Sequence, residues 1–115
     1  MAKVVAVREL ELKPGVTEEA FERFVREEWD ALPPLPGVRF PVLKGLRGQR
    51  MGKYLWLFEW ETVERWQETV PPPGLASAEL QQYLAANQAL RDKFDTFATV
   101  PGGGSAFTDY VEIGG

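Results

Sequence analysis

The chain has 115 residues, a net charge of −4, 44% apolar and 12% aromatic side chains, and neither Cys nor His. This length suits one domain, residues 1–115, that buries a single core without staples, and the composition is globular rather than disordered. Disulfides, thiolate nucleophiles, imidazole bases, His-ligated haem and zinc sites with Cys or His ligands are excluded within the chain, and the absence of a basic stripe argues against nucleic acid.

Met1-Ala2-Lys3-Val4-Val5 runs straight into an alternating apolar pattern with no signal-peptide hydrophobic region. No apolar run approaches the roughly 20 residues that span a bilayer. The expectation is a cytoplasmic protein with no membrane partner.

Val4 to Leu12 reads as the first strand, closed by the turn signal Lys13-Pro14-Gly15. Thr17 is placed to cap a helix, with Glu18 and Glu19 favoured by the dipole in its first turn. Val16 and Phe21 fit the two ends of a hydrophobic staple. The spacing of Phe21, Phe24, Val25 and Leu32 carries this helix to about Ala31, and Pro33-Pro34 stops it.

Gly37 to Leu46 reads as the second strand, and Pro41, lacking an N–H, puts it at a sheet edge. The glycines between Arg47 and Gly52 mark a hairpin loop. Lys53 to Glu61 has the clearest strand pattern, with Tyr54, Trp56, Phe58 and Trp60 alternating against Leu55, Leu57 and Glu59. Its centre is apolar on both faces, as in a strand covered on both sides.

Thr62 can cap a short helix over 63–69 that ends at Pro71-Pro72-Pro73-Gly74. Ser77 opens a longer one, with Leu80, Tyr83, Leu84, Asn87, Leu90, Arg91 and Phe94 on one side, reaching about Phe97. Pro101 to Gly104 is a loop, and Ala106 to Ile113 is the last strand. The expected fold is α+β, a ferredoxin-like βαββαβ order with a four-stranded antiparallel sheet.

In that order both helices lie on one face of the sheet. The other face should be polar in a monomer, yet either the aromatic row or the leucine pair must occupy it. Burying each aromatic is worth roughly 1.5–3 kcal/mol, so an exposed row would be a sticky patch. The expectation is a homodimer joined through the sheet face, with the aromatic row on the partner and the leucines on the helices. The reverse assignment is the alternative.

Val7 to Gly15, Pro36-Gly37-Val38-Arg39 and Phe58 to Trp66 resemble the dimeric α/β-barrel superfamily, which includes antibiotic-biosynthesis monooxygenase-like, EthD-like and NIPSNAP-like families. The shared features are a strand ending in Lys-Pro-Gly before an acidic helix start, and a strand ending in Trp-Glu before a capped helix. The resemblance implies the fold, and pairing as a dimeric α/β barrel. It also implies a cofactor-free oxygenase or isomerase acting on a small aromatic or apolar substrate. The alternative is a non-catalytic binding or structural dimerisation module.

The candidate ligand-lining residues are Arg8, Tyr54, Trp56, Phe58, Trp60, Tyr83, Asn87 and Tyr110. Arg8 interrupts the apolar row Val4, Ala6, Leu10, Leu12, so it must be paired or reach water; it is either an anion or carbonyl anchor or a salt-bridge partner. Asn87 falls on the inward side of its helix and needs hydrogen-bond partners, from a ligand or from a local backbone group. Tyr83 and Tyr110 could donate to a bound carbonyl. Glu9 and Glu59 could serve as bases if burial raised them, with an Arg partner or solvent as the alternative. Trp29, Trp56, Trp60 and Trp66 suit core or interface as well as a substrate box. Asp92, Asp95 and Asp109 lack metal-loop spacing, and Gly102-Gly103-Gly104 lacks the Lys-Ser/Thr of a phosphate loop. No metal and no cofactor are expected.

Overall fold

Alternation in the first and third predicted strands brings them together as the centre of one sheet. In a computed structural model describing residues 2–72, 74–102 and 108–114, β1 (Val4–Leu12) runs antiparallel to a long strand over Tyr54–Trp60. The register sets Val4 opposite Trp60 and Leu10 opposite Tyr54.

The second predicted strand forms in two pieces, β2 (Val38–Arg39) and β3 (Val42–Lys44), both paired with the Tyr54–Trp60 strand, β4. Phe40-Pro41 interrupts it because Pro41 has no N–H to donate. The register survives the gap, since Leu57 N still donates to Pro41 O at 2.9 Å.

On the far side of β1 lie β5 (Ala98–Thr99) and β6 (Thr108–Val111). β1 advances four residues from Glu11 to Val7, while the opposite chain advances nine from Thr99 to Thr108. The last strand is therefore shorter than expected at its C-terminal end, and the expected start at Ala106 lies outside the described residues. The strand order, with β1 and β4 central and the second and last strands at the edges, is the ferredoxin-like antiparallel arrangement.

The helices start where polar caps stand. Thr17 accepts from Ala20 N at 3.1 Å to open α1 (Glu18–Glu27), Thr62 from Arg65 N at 3.0 Å to open α2 (Val63–Thr69), and Ser77 from Leu80 N at 3.2 Å to open α3 (Ala78–Ala86). α1 stops short of Ala31. Glu28 leaves the helical region at φ −121°, and a 3₁₀ turn over Trp29–Ala31 follows.

The long predicted helix is two, α3 and α4 (Gln88–Phe97), divided at Asn87 (φ −112°, ψ 22°). The Asn87 amide donates to Tyr83 O at 2.8 Å, a local bond that competes with helix continuation.

The aromatic row faces the helices, the reverse of the expected assignment. The two buried clusters take Val4, Ala6 and Leu10 from β1, Tyr54 and Trp60 from β4, and Phe21, Phe24, Trp29 and Phe94 from the helical layer. Alternation puts Trp56 and Phe58 on that same face. The reason is volume: helices carrying several aromatic rings leave a deep layer against small β1 residues such as Ala6, which lies opposite Phe58. Rings reach further across that depth than two leucines would, and they leave part of it open. Phe21 meets Tyr54 edge-on at 5.0 Å and Trp56 stacks on Phe94 at 4.9 Å.

The outer face carries Val5, Val7, Leu55 and Leu57, with Leu43 44% and Tyr110 56% exposed at its margins. None of these residues belongs to either buried cluster.

Candidate functional site: a divided cavity between sheet and helices

Strand alternation delivers Arg8 of β1 and Trp56 and Phe58 of β4 to the helix-facing side, where the layer is incompletely filled. They enclose a cavity of about 220 Å³ with Phe40, Tyr83 and Asn87. The break between α3 and α4 places Asn87 at its rim. No carboxylate lines this cavity among the described residues.

Two cations line the cavity: Arg91, whose guanidinium donates to Leu84 O and to the Gln88 side chain, and Arg8. The Arg8 guanidinium carbon lies 4.5 Å from the Phe58 ring centroid and 5.4 Å from that of Trp56, close enough for attraction to both ring faces. Burial pulls its pKa down, and the Asp109 carboxylate opposes that pull. The group nevertheless remains cationic at any ordinary pH, because Arg does not deprotonate in proteins. A desolvated guanidinium against aromatic rings is suited to holding a carbonyl, phenolate or carboxylate oxygen.

A second cavity of about 510 Å³ lies beyond Arg8 and Phe58, which form part of its wall as well. Trp66, Val70 and Leu80 complete its apolar side, and Asp109 lies at its edge. Arg8 and Phe58 thus line both spaces.

The four tryptophans separate by what their indole N–H groups do. Trp29 donates to Phe40 O at 2.8 Å and Trp60 to the Thr69 hydroxyl at 2.7 Å. The N–H groups of Trp56 and Trp66 are buried with no acceptor among the described residues. Trp56 lines the first cavity and Trp66 the second. A buried donor left unmade costs about 1–3 kcal/mol, and an acceptor from a bound molecule would recover it.

The structure brings together Arg8, Trp56, Phe58, Tyr83 and Asn87 from the predicted set, with Trp60 in the second cavity. Tyr83 is already committed: its hydroxyl donates to Pro33 O at 2.6 Å, and burial raises its pKa. It is therefore not poised to give its proton to a bound carbonyl.

Tyr54 lies elsewhere, its hydroxyl donating to Glu22 at 2.5 Å, and burial followed by that bond pushes its pKa up. Tyr110 sits opposite Val5 toward the outer face, away from both cavities. Glu9 and Glu59 pair with Arg50 at 3.3 Å and Arg39 at 3.2 Å, the partner reading rather than the base reading.

Wall residues outside the predicted site include Phe40 and Arg91 at the first cavity and Trp66 at the second. The spacing of Val63, Trp66 and Val70 on α2 marks an inward stripe that could have found Trp66. Phe40 shares a strand face with Val38 and Val42, and the pairing of β2 and β3 with β4 turns that face inward.

No family model and no curated protein matches the chain. Among solved structures it is similar to one described as a "putative Antibiotic biosynthesis monooxygenase" from Chloroflexus aurantiacus J-10-fl. The two share 15% identity at a TM-score of 0.42, over 98% of this chain and 95% of that one. The α+β, ferredoxin-like assignment rests on the chain's own strand order.

Proposed function

We propose that this protein binds a small aromatic or apolar molecule bearing a hydrogen-bond acceptor, in the cavity between Arg8, Trp56 and Phe58, and that it does so as a homodimer joined through the outer face of the sheet. The observation that carries the binding reading is the cavity itself: a ring-lined space of about 220 Å³ with a cation and an unmet indole N–H at its wall. An apolar cavity of about 150 Å³ already holds a benzene ring, so one ring with a substituent fits.

The dimer reading is supported by the apolar outer row of Val5, Val7 and Leu55, which is only half-buried and lies outside both buried clusters. A face of this kind on a sheet covered on its other side is a partner surface. Chemistry at the site would draw on the substrate's own enolate or phenolate, with Arg8 holding the oxygen anion, as in a cofactor-free oxygenase or isomerase.

One observation favours a non-catalytic binding protein instead. The Tyr83 hydroxyl and the Asn87 amide both serve backbone carbonyls, and no carboxylate lines the first cavity among the described residues, so that wall offers no general base.

Tryptophan fluorescence and calorimetric titration with 4-hydroxyacetophenone and 1,4-naphthoquinone test the reading. The expected result is saturable binding that Arg8→Ala weakens by about 10- to 100-fold, the cost of losing a charged hydrogen bond. No saturable binding at millimolar concentration, together with no co-purifying small molecule in native mass spectrometry, would overturn it.

A further inference from the structure

Building on that binding reading, we infer that the ligand is a two-part molecule. Its ring occupies the Trp56 cavity, its acceptor oxygen sits at Arg8, and an apolar arm extends into the cavity beside Trp66. Arg8 and Phe58 line both spaces. A molecule reaching from one space to the other must pass the guanidinium, and a polar group belongs at that point of its length.

The volumes point the same way. The first space, about 220 Å³, holds a ring and little more, whereas small-molecule sites usually occupy about 300–1,000 Å³. The second space, about 510 Å³, lies inside that range, and the two together stay within it. The second wall is largely aliphatic and aromatic through Val70, Leu80, Trp60 and Trp66, so its occupant is apolar over most of its surface.

Hydrogen-bond accounting adds the remaining constraint. Each space has one tryptophan whose buried N–H lacks an acceptor among the described residues, Trp56 in the first and Trp66 in the second. The other two tryptophans, Trp29 and Trp60, are satisfied within the protein. The matching ligand class is an aryl ketone or phenolic compound with an alkyl or second-ring arm, and a further oxygen along that arm would meet Trp66.

A homologous series tests this: 4-hydroxyacetophenone against 4-hydroxyphenyl ketones with alkyl arms of increasing length, titrated by calorimetry. The expected result is about fourfold tighter binding per methylene, the value of burying one CH₂, until the second cavity is full. Leu80→Trp should abolish that gain. Ala76→Leu, a smaller intrusion at the same cavity, serves if Leu80→Trp does not fold. Trp66→Phe should weaken only ketones whose arm carries an ether oxygen. Equal affinity across the series, or an arm-length gain that neither cavity-filling variant touches, would overturn the two-part ligand while leaving the single-ring reading intact. If no member of the series binds, both readings fall.

Discussion

The Trp60 indole N–H donates to the hydroxyl of Thr69 at 2.7 Å, joining the end of β4 to the last turn of α2, and Thr69 is 0% exposed. The same hydroxyl donates back to the helix carbonyls of Arg65 and Trp66, so one buried oxygen ties sheet and helix together. Its neighbour Trp66 has no such acceptor. Two tryptophans six residues apart thus serve different ends: one locks the layer, the other lines a space.

Thr69→Val keeps the shape of the side chain and removes the acceptor. The buried indole N–H is then left unmade, and urea denaturation should show a loss of about 1–3 kcal/mol. Thr69→Ser should recover most of it. A valine variant as stable as the parent would show that the bond contributes nothing net.

Glu22 sets an acid limit on stability. Lys44 donates to it at 2.7 Å and the Tyr54 hydroxyl also donates to it, and these bonds, Lys44's first, hold its carboxyl below the ordinary value of 4.5. A carboxylate depressed in the folded state contributes stability above its unfolded pKa, and that contribution is lost as pH falls through the folded value. At pH 7 Glu22→Gln should therefore be less stable by on the order of 1 kcal/mol. The two melting curves should converge below about pH 4, and a difference that persists there would mean the effect is packing, not charge.

Arg65 and Glu79 form a bidentate pair, at 2.7 and 2.8 Å, while the Arg65 Nε also donates to Pro36 O at 2.7 Å. Glu79 is half exposed and Arg65 is not, so the two partners should not be equivalent. Glu79→Gln should barely lower the melting temperature, because an exposed partner is screened by solvent. Arg65→Lys loses the fork and the Pro36 bond together and should cost about 1–2 kcal/mol. Thermal melts of equal size for the two variants would contradict this division.

The dimer reading predicts a sedimentation mass of two chains at micromolar concentration. Val7→Lys places a charge opposite Leu57 and Thr108 in the middle of the outer face and should yield a folded monomer. A monomeric parent protein would refute the reading directly.

Much of the architecture was legible because it is local. Thr17, Thr62 and Ser77 cap the helices they were read to cap, and Pro41 sits on the edge strand its missing N–H demands. Arg8 stood out because a charge in an apolar strand row needs an explanation. Alternation separates the two faces of β4 but does not say which one the helices cover. That choice depends on the volume of rings arriving from elements far along the chain. The fates of the tyrosines were equally hidden: Tyr54 is claimed by Glu22 and Tyr83 by Pro33, partners that no spacing rule connects. The break at Asn87 was masked because its apolar neighbours keep helical spacing on both sides.

Pro41 also bears on how copies of the chain can associate. Its carbonyl accepts from Leu57 N, and in an extended strand a residue's N and O point to the same side, so the donor it lacks faces β4 and not the open edge. The loss falls on the inner ladder, which splits into β2 and β3 there. What blunts the outer edge is the shortness of those two pieces, since brief edge strands make poor templates for further chains. Contact across the flat of the sheet carries no such restriction.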